Sequence, residues 1–316
     1  MNDGRLPLWV VPAKDEPAHG ILLRLAERNG IQNIRFLSYM TGLRVSQLRG
    51  GKGIDRLARI LRCEPDAFMH STFVCETRGF ASVRGERLNF ISDLDQTKRR
   101  ACPRCIAKSA HHRFWWDLSF VTTCPEHAIN LVDVCSCGGT LSWKDVSIRK
   151  CCQCHVGSVS DIPASPADSA VLAMDRWTLG RLGVGRRVSV PALDRMSMTT
   201  AIKIVQHVGA LEIGGYRIGQ QRPDGFDVPM NEVRLAGFKI MQQGRLDEIL
   251  DKTHNCYLET RKPRSGKSKM SPTVRTAYGW FGAWFKVWHR SKFFEESSAP
   301  FANIILANAA RKSIPY

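Results

Sequence analysis

Apolar positions recur at helical spacing along most of the chain. In AHGILLRLAERNG, one face of the predicted helix carries the apolar side chains Ile21, Leu22, Leu25 and Ala26, and the Asn29-Gly30 pair predicts the end of the helix. IRFLSYMTGL and IDRLARILRCEPDAFMH repeat this pattern on either side of the glycine-rich turn RGGKG. Short helices joined by tight turns are typical of a helix-turn-helix bundle. We therefore predict a helix-turn-helix domain over residues 1–100, after an extended entry.

Helical patterns return after a stretch rich in proline, serine and alanine, DIPASPAD, which predicts a linker. The segments SAVLAMDRWTLGRLG, MTTAIKIVQHVGALE, NEVRLAGFKIMQQG and RLDEILDKT follow it. The aromatic residues of TAYGWFGAWFKVWHR fall at helical spacing, which is typical of a core-facing stripe. Residues 161–316 are thus predicted to form a helical C-terminal domain with a basic loop at RKPRSGKSKMSPTVR.

Composition and charge narrow the class of partner. The chain has 316 residues, 43% of them hydrophobic, which is enough for two or three globular domains. Its net charge of +17 favours a polyanionic partner, nucleic acid before an acidic membrane face. We find neither a secretory signal at the N-terminus nor an apolar run long enough for a bilayer, so we expect a cytoplasmic protein without membrane association.

Eight of the eleven cysteines lie between Cys102 and Cys154, a clustering that indicates metal binding in a reducing compartment. Cys102-Pro-Arg-Cys105 and Cys124-Pro-Glu-His127 are two knuckle-like pairs separated by eighteen residues. This spacing is typical of a structural Cys₃His zinc site. The predicted ligands of the first zinc ion are Cys102, Cys105, Cys124 and His127.

A second zinc site is predicted directly afterwards, from Cys135, Cys137 and two of the three cysteines Cys151, Cys152 and Cys154. Cys151 with Cys154 has the commoner spacing, whereas Cys152 with Cys154 repeats the spacing of Cys135 with Cys137. The third ligand is therefore either Cys151 or Cys152. Gly138-Gly139 allows the chain to turn back under the metal. Residues 101–160 are predicted to be a tandem zinc-binding module with short β-hairpins.

Two closed sites would stabilise the fold and leave no position for water or substrate, so we do not expect an enzyme. His111-His112 suggests a comparison with zinc-supported nucleases, but a second catalytic histidine is missing from the pattern. A cysteine protease requires one activated thiol rather than eight clustered ones. The whole pattern predicts a mainly α protein with an N-terminal helix-turn-helix bundle, a central double zinc-binding module and a helical C-terminal domain.

The cysteine module resembles the TniQ/TnsD family of transposon target-selection proteins. The resemblance lies in the CPRC pair, the HRFWWDL motif at 112–118, the VTTCPEH motif at 121–127 and the Cys135-Ser-Cys137-Gly138 turn. The opening LPLWVVPAKDEPAHGILLRLAERNG is similar to the family's start. The Cys135–Cys137 pair is shorter than the family's usual second CPxC pair.

The resemblance implies an adaptor that recognises either a DNA site or a guide-RNA effector complex already bound to DNA. It also implies recruitment of an AAA+ ATPase that brings a DDE transposase. The alternatives from the residues are a zinc-containing helix-turn-helix transcription regulator and, without a nucleophile–base pair to support it, a hydrolase in the C-terminal half. The sequence leaves the target site, guide-RNA dependence and homodimer formation open.

Two basic stretches are candidate nucleic-acid contacts. In GLRVSQLRGGKG, the spacing places polar and basic side chains where a recognition helix faces a groove. In the basic loop, positive charges are nearly unopposed by acids, which suits phosphate contacts. The candidate residues are Arg44, Gln47, Arg49, Lys52, Arg261, Lys262, Arg264, Lys267 and Lys269.

Overall fold

A computed structural model describes residues 6–76, 79–145, 147–151, 153–154, 157–215, 228–260, 273–292 and 294–314. Helices predominate and the strands are few and short, which confirms the predicted mainly α fold. The chain divides into two compact units, Met1–Val188 and Ser189–Tyr316. Among the described residues, we find no helix that combines the length and the apolar character needed to cross a bilayer.

The first unit begins with a bundle of short helices and continues through a small sheet into the cysteine module. Its helices are α1 (Ala18–Arg28), α2 (Ile34–Thr41), α3 (Val45–Arg49), α4 (Ile54–Leu61), α5 (Asp66–Met69), α6 (Pro103–Lys108) and α7 (Ser169–Arg181). Its strands are β1 (Val74–Cys75), β2 (Phe80–Val83), β3 (Glu86–Asn89), β4 (Thr123–Cys124) and β5 (Ile129–Asn130).

The bundle α1–α5 packs around one hydrophobic core, to which α1 contributes Leu22 and Leu25. Each such fully buried leucine contributes on the order of 1.5–3 kcal/mol through removal of its surface from water. The extended entry is held against the end of α1 by the Asn29 side chain, which donates to the Leu8 carbonyl (2.7 Å) and accepts from the Leu8 amide (3.1 Å). The predicted helices and the extended entry are therefore present.

The helical prediction for residues 1–100 does not hold from Val74 to Asn89, which form the antiparallel sheet β1-β2-β3. β2 and β3 pair from Phe80↔Asn89 to Val83↔Glu86 around a two-residue turn. Half-buried and buried side chains alternate along β2, so period-two patterning over four residues overrides the weaker helical signal. This segment is too short for the pattern to have been recognised in the sequence.

The DIPASPAD segment, which was predicted to be a linker, is hydrogen-bonded to the cysteine module. The Asn130 amide donates to the Ser165 carbonyl, and the Ala167 amide donates to the Ala128 carbonyl, so the segment lies against β5. Helix α7 then packs on β4, and the first compact unit extends to Val188. The predicted domain boundaries, between residues 100 and 101 and between residues 160 and 161, stay predictions.

The second unit is helical, as predicted. Its helices are α8 (Pro191–Asp194), α9 (Met198–Gly214), α10 (Met230–Gln243), α11 (Leu246–Thr260), α12 (Val274–Ala277), α13 (Gly279–His289) and α14 (Ala299–Arg311). Helices α9 and α10 approach closely because Gly209 and Gly237 face each other's helix backbone. A Cβ on Gly209 would collide with the Val233 carbonyl oxygen.

The aromatic stripe of α13 is largely internal to this unit. Phe281 and Phe285 are fully buried, and Trp284 stacks between His207 of α9 (ring centroids 3.9 Å apart) and Trp288 (5.5 Å). The stripe therefore packs α13 against its neighbours, in agreement with the interpretation of its spacing.

Candidate metal centres

The first centre is built by a helix start and a hairpin. Cys102 caps α6, and its sulfur accepts from the Cys105 amide at 3.4 Å, with Pro103 at the first helical position. Cys124 ends β4, and His127 lies in the turn that leads to β5. A proline that starts a helix and a tight hairpin turn thus direct four donor atoms to one point.

The spacing of these donors agrees with a tetrahedral ion. The Cys105 and Cys124 sulfurs lie 3.7 Å apart, and His127 Nδ1 lies 3.3–3.5 Å from the sulfurs of Cys102, Cys105 and Cys124. Bond lengths of about 2.3 Å to sulfur and 2.0–2.1 Å to nitrogen in a tetrahedral zinc site imply edges of roughly 3.8 and 3.5 Å. The four residues therefore fit zinc without rearrangement.

Close packing also couples the thiols in the metal-free chain. Hydrogen bonds from Cys105 and then from Cys124 lower the pKa of Cys102 to about 3. The pKa of Cys105 is raised because its thiol donates to the Cys102 sulfur. A cation that binds all three thiolates must displace the protons they share, so metal binding here releases protons.

The structure brings a second group together, formed by Cys135, Cys137, Cys151 and Cys154. Its sulfurs lie 3.8 Å apart between Cys135 and Cys154, and 3.9 Å apart between Cys137 and Cys151, again the edge lengths of a tetrahedral thiolate site. Amides of Gly139 and Gln153 donate to the sulfurs of Cys137 and Cys151, both at 3.4 Å. Cys152, the alternative ligand, lies outside the described residues.

A third buried cluster, formed by His19, His112 and Asp117, was missed in the sequence. The Asp117 carboxylate accepts from His19 Nε2 (2.9 Å) and from His112 Nε2 (3.1 Å), and all three side chains are at most 1% exposed. Trp143 packs its ring edge-on against both imidazoles. The cluster joins α1 to the HRFWWDL motif and to the loop that carries the second centre.

Charge and hydrogen bonding indicate that this cluster is an internal clamp rather than a third metal site. Metal-bound histidines donate their second ring N–H to an acceptor, yet Nδ1 of both imidazoles has no partner among the described residues. The Asp117 charge already acts on the buried guanidinium groups of Arg49 and Arg100. Burial lowers the pKa of His112 to about 4, so the imidazole is neutral at neutral pH.

A buried carboxylate from α7 anchors the strand of the first centre. Asp175 accepts from the amides of Thr122 (3.0 Å) and Thr123 (2.8 Å) and from the Thr123 hydroxyl (2.7 Å). Burial raises the pKa of Asp175 to about 6, although these bonds oppose the shift. The only sequence signals for His19 and Asp175 were single polar residues among apolar helical positions.

The predicted nucleic-acid contacts separate into three groups. Arg44, Gln47 and Lys52 are exposed, as a contact requires. Arg49 is 3% exposed: its guanidinium donates to the Gln96 carbonyl (2.6 Å) and lies 4.7 Å from the Trp143 ring centroid. The prediction of a groove contact at Arg49 is therefore corrected, since this side chain is bonded inside the unit. Arg261, Lys262, Arg264, Lys267 and Lys269 lie outside the described residues.

Comparison with known proteins agrees with this arrangement. Residues 7–131 match the TniQ family model, a range that contains the helical bundle, the clamp and all four residues of the first centre. A search of curated proteins finds no match to the chain. A TniQ domain indicates a role in transposition target selection. Residues 7–131, less than half of the chain, are thus similar to the TniQ domain.

Proposed function

We propose that this protein is a cytoplasmic target-selection adaptor in DNA transposition. It recognises target DNA, or a guide-RNA effector complex bound to DNA, and recruits an AAA+ ATPase that brings the DDE transposase. The observation that carries the proposal is the TniQ match over residues 7–131. The matched range contains all four residues of the Cys₃His group. The net charge of +17 supports a nucleic-acid partner.

The adaptor is not an enzyme in this proposal. Each metal centre has four protein ligands, so a bound ion has no open position at which to activate water. We propose zinc at both centres, because three thiolates with an imidazole and four thiolates are donor sets that zinc prefers. Cys151 is the proposed fourth ligand of the second centre, with Cys135, Cys137 and Cys154.

Metal analysis tests the zinc assignment. The full chain, purified without added metal, is expected to contain two zinc ions by mass spectrometry of the digested protein. Cys151→Ser is expected to lose one ion and Cys152→Ser to retain both. Retention of both ions by Cys151→Ser, with loss in Cys152→Ser, would reverse the ligand assignment.

A reconstituted pull-down tests the adaptor function. The metal-loaded chain is immobilised and incubated with an AAA+ transposition ATPase, with nucleotide and with or without target DNA. We expect ATPase capture by the wild-type chain. A charge-reduced variant, Arg44→Gln with Lys52→Gln, should lose DNA binding and retain the ATPase. A chain that binds DNA but neither the ATPase nor an effector complex would favour the transcription regulator instead.

A further inference from the structure

Helix α2 presents two aromatic rings to solvent on one face. Phe36 is 54% exposed and Tyr39 is 87% exposed, and residues three apart on a helix lie side by side. The opposite face of α2 carries Leu37 and Thr41 into the core, so the helix is anchored while both rings remain outside. The two aromatic side chains are therefore held by a structured helix rather than by a loose loop.

The faces of these rings are open. Elsewhere in the same unit, accessible aromatic rings are covered by arginine: Arg62 lies 4.1 Å from the Trp9 ring centroid and Arg87 lies 4.0 Å from that of Phe80. Among the described residues, no guanidinium lies over Phe36 or Tyr39. Phe36 and Tyr39 are thus more exposed than Trp9, yet no described arginine covers their rings.

Positive charge surrounds the two rings. The sequence has no acidic residue between Glu27 and Asp55, and Arg35 and Arg44 in this stretch are exposed. The Arg56 guanidinium of α4 reaches the turn after α2, with its Nη1 2.7 Å from where a Cβ on Gly42 would lie. The surroundings favour a polyanion.

Duplex DNA does not account for these rings. Helix α3 has five residues, about 7.5 Å of helix, and Arg49 points inward, so its reach into a major groove is small. Bases in a duplex are stacked on one another and offer their faces to no side chain. Aromatic rings beside basic residues are the features that bind unpaired bases, at about 1–3 kcal/mol per stacked base.

We propose that Phe36 and Tyr39, with the flanking arginines, form a platform that stacks the bases of single-stranded nucleic acid. This inference rests on the proposed function, since it specifies the form of target that the adaptor recognises. The phosphates contact Arg35, Arg44 and Arg56, and one base lies on each ring. An opened target duplex or a displaced strand has this chemistry.

Three labelled oligonucleotides of equal length test the platform on the full metal-loaded chain. They are oligo-dT, an abasic strand with the same phosphates, and a duplex, each measured by fluorescence anisotropy. Phe36→Ala and Tyr39→Ala should each weaken oligo-dT binding about tenfold. Both should leave the abasic strand and the duplex within twofold of wild type. Tyr39→Phe keeps the ring and should bind oligo-dT as wild type does.

Two outcomes would overturn the platform. One is an equal loss for all three ligands, which would indicate a general effect of charge or folding, and the other is an unchanged affinity for oligo-dT. The pull-down separates this proposal from the adaptor function. Tyr39→Ala should still capture the ATPase, and loss of capture with intact oligo-dT binding would make α2 a protein-docking surface. Wild-type oligo-dT binding without ATPase capture would reject the adaptor alone.

Discussion

The two candidate metal centres have the same number of donor residues, but the surrounding structure supports them differently. In the first, Cys102, Cys105 and Cys124 are fully buried, and Asp175 bonds the strand that carries Cys124. In the second, Cys135 and Cys151 are buried, but Cys137 is exposed and Cys154 is half-buried, and the four residues lie on loops before and after the Gly138 turn. The cysteines of the first centre are part of the core of the unit, whereas the second centre includes an exposed cysteine and lies on loops. Loss of metal should therefore have unequal consequences.

The largest difference is expected from removing one ligand of each centre. Cys124→Ser should lose one metal ion and destabilise the first unit by several kcal/mol, because the structural ion contributes on the order of 10 kcal/mol. Cys137→Ser should also lose one ion but cost about 2 kcal/mol or less, since the Cys137 side chain is exposed and is not part of the core. Metal content and urea unfolding followed by circular dichroism measure both. Equal destabilisation by the two variants would contradict the comparison.

The second largest effect is expected from the anchor of the first centre. Asp175→Ala leaves three buried donors at Thr122 and Thr123 without an acceptor, which should cost about 3 kcal/mol. In a Cys137→Ser background, which retains only the first centre, the variant should release its metal to a chelator faster than its parent.

Asp168→Ala provides the matched control on the same helix. Asp168 caps α7 by accepting from the amides of Ala170 and Val171, so its loss should cost about 1 kcal/mol. That cap does not touch β4, and metal release should be unchanged. Faster release in Asp168→Ala than in Asp175→Ala would show that helix stability, rather than the anchor, supports the first centre.

The unequal support also explains which parts could be predicted from the sequence. Each ligand pair is local in sequence, so spacing alone indicated the quartet Cys102, Cys105, Cys124 and His127. The clamp joins His19 to Asp117 across 98 residues, and no local pattern specifies such a contact. Arg49 looked like a groove contact because its inward direction depends on Gln96 and Trp143, which lie far along the chain.

The stability of the first unit should also depend on pH. The pKa of His112, in the buried cluster with His19 and Asp117, is lowered by burial to about 4 from an ordinary 6.5. Between these values the unfolded chain binds a proton that the folded chain does not, so stability falls as pH falls through this window. From pH 7 to 5.5 the loss is about 1 kcal/mol. In His112→Gln, the free energy of unfolding should therefore change by about 1 kcal/mol less between pH 7 and pH 5.5 than it does in wild type. Urea unfolding with both centres saturated with metal measures this pH dependence.

The comparison with wild type isolates this one group. Glu16 and Asp175 have raised pKa values, about 7 and about 6, and contribute with the opposite sign, so the total slope is a difference. A His112→Gln slope equal to that of wild type would show that folding does not shift the pKa of His112.

The smallest effect is expected at the turn of the second centre. Gly138 has a φ of +83°, in the left-handed region, and a Cβ there would meet no atom within 4 Å. Gly138→Ala should therefore cost only backbone strain, about 1 kcal/mol, and weaken metal binding at this centre about fivefold.

Gly157→Ala is the control, because its Cβ would make ordinary contacts near Cys154 and Cys135 at a φ outside that region. Competition with a chelator measures both variants in a Cys124→Ser background, or in the intact chain if that background does not fold. An equal loss of affinity in Gly157→Ala would mean that the loop tolerates no added carbon, and the peripheral centre would then be as tightly packed as the first.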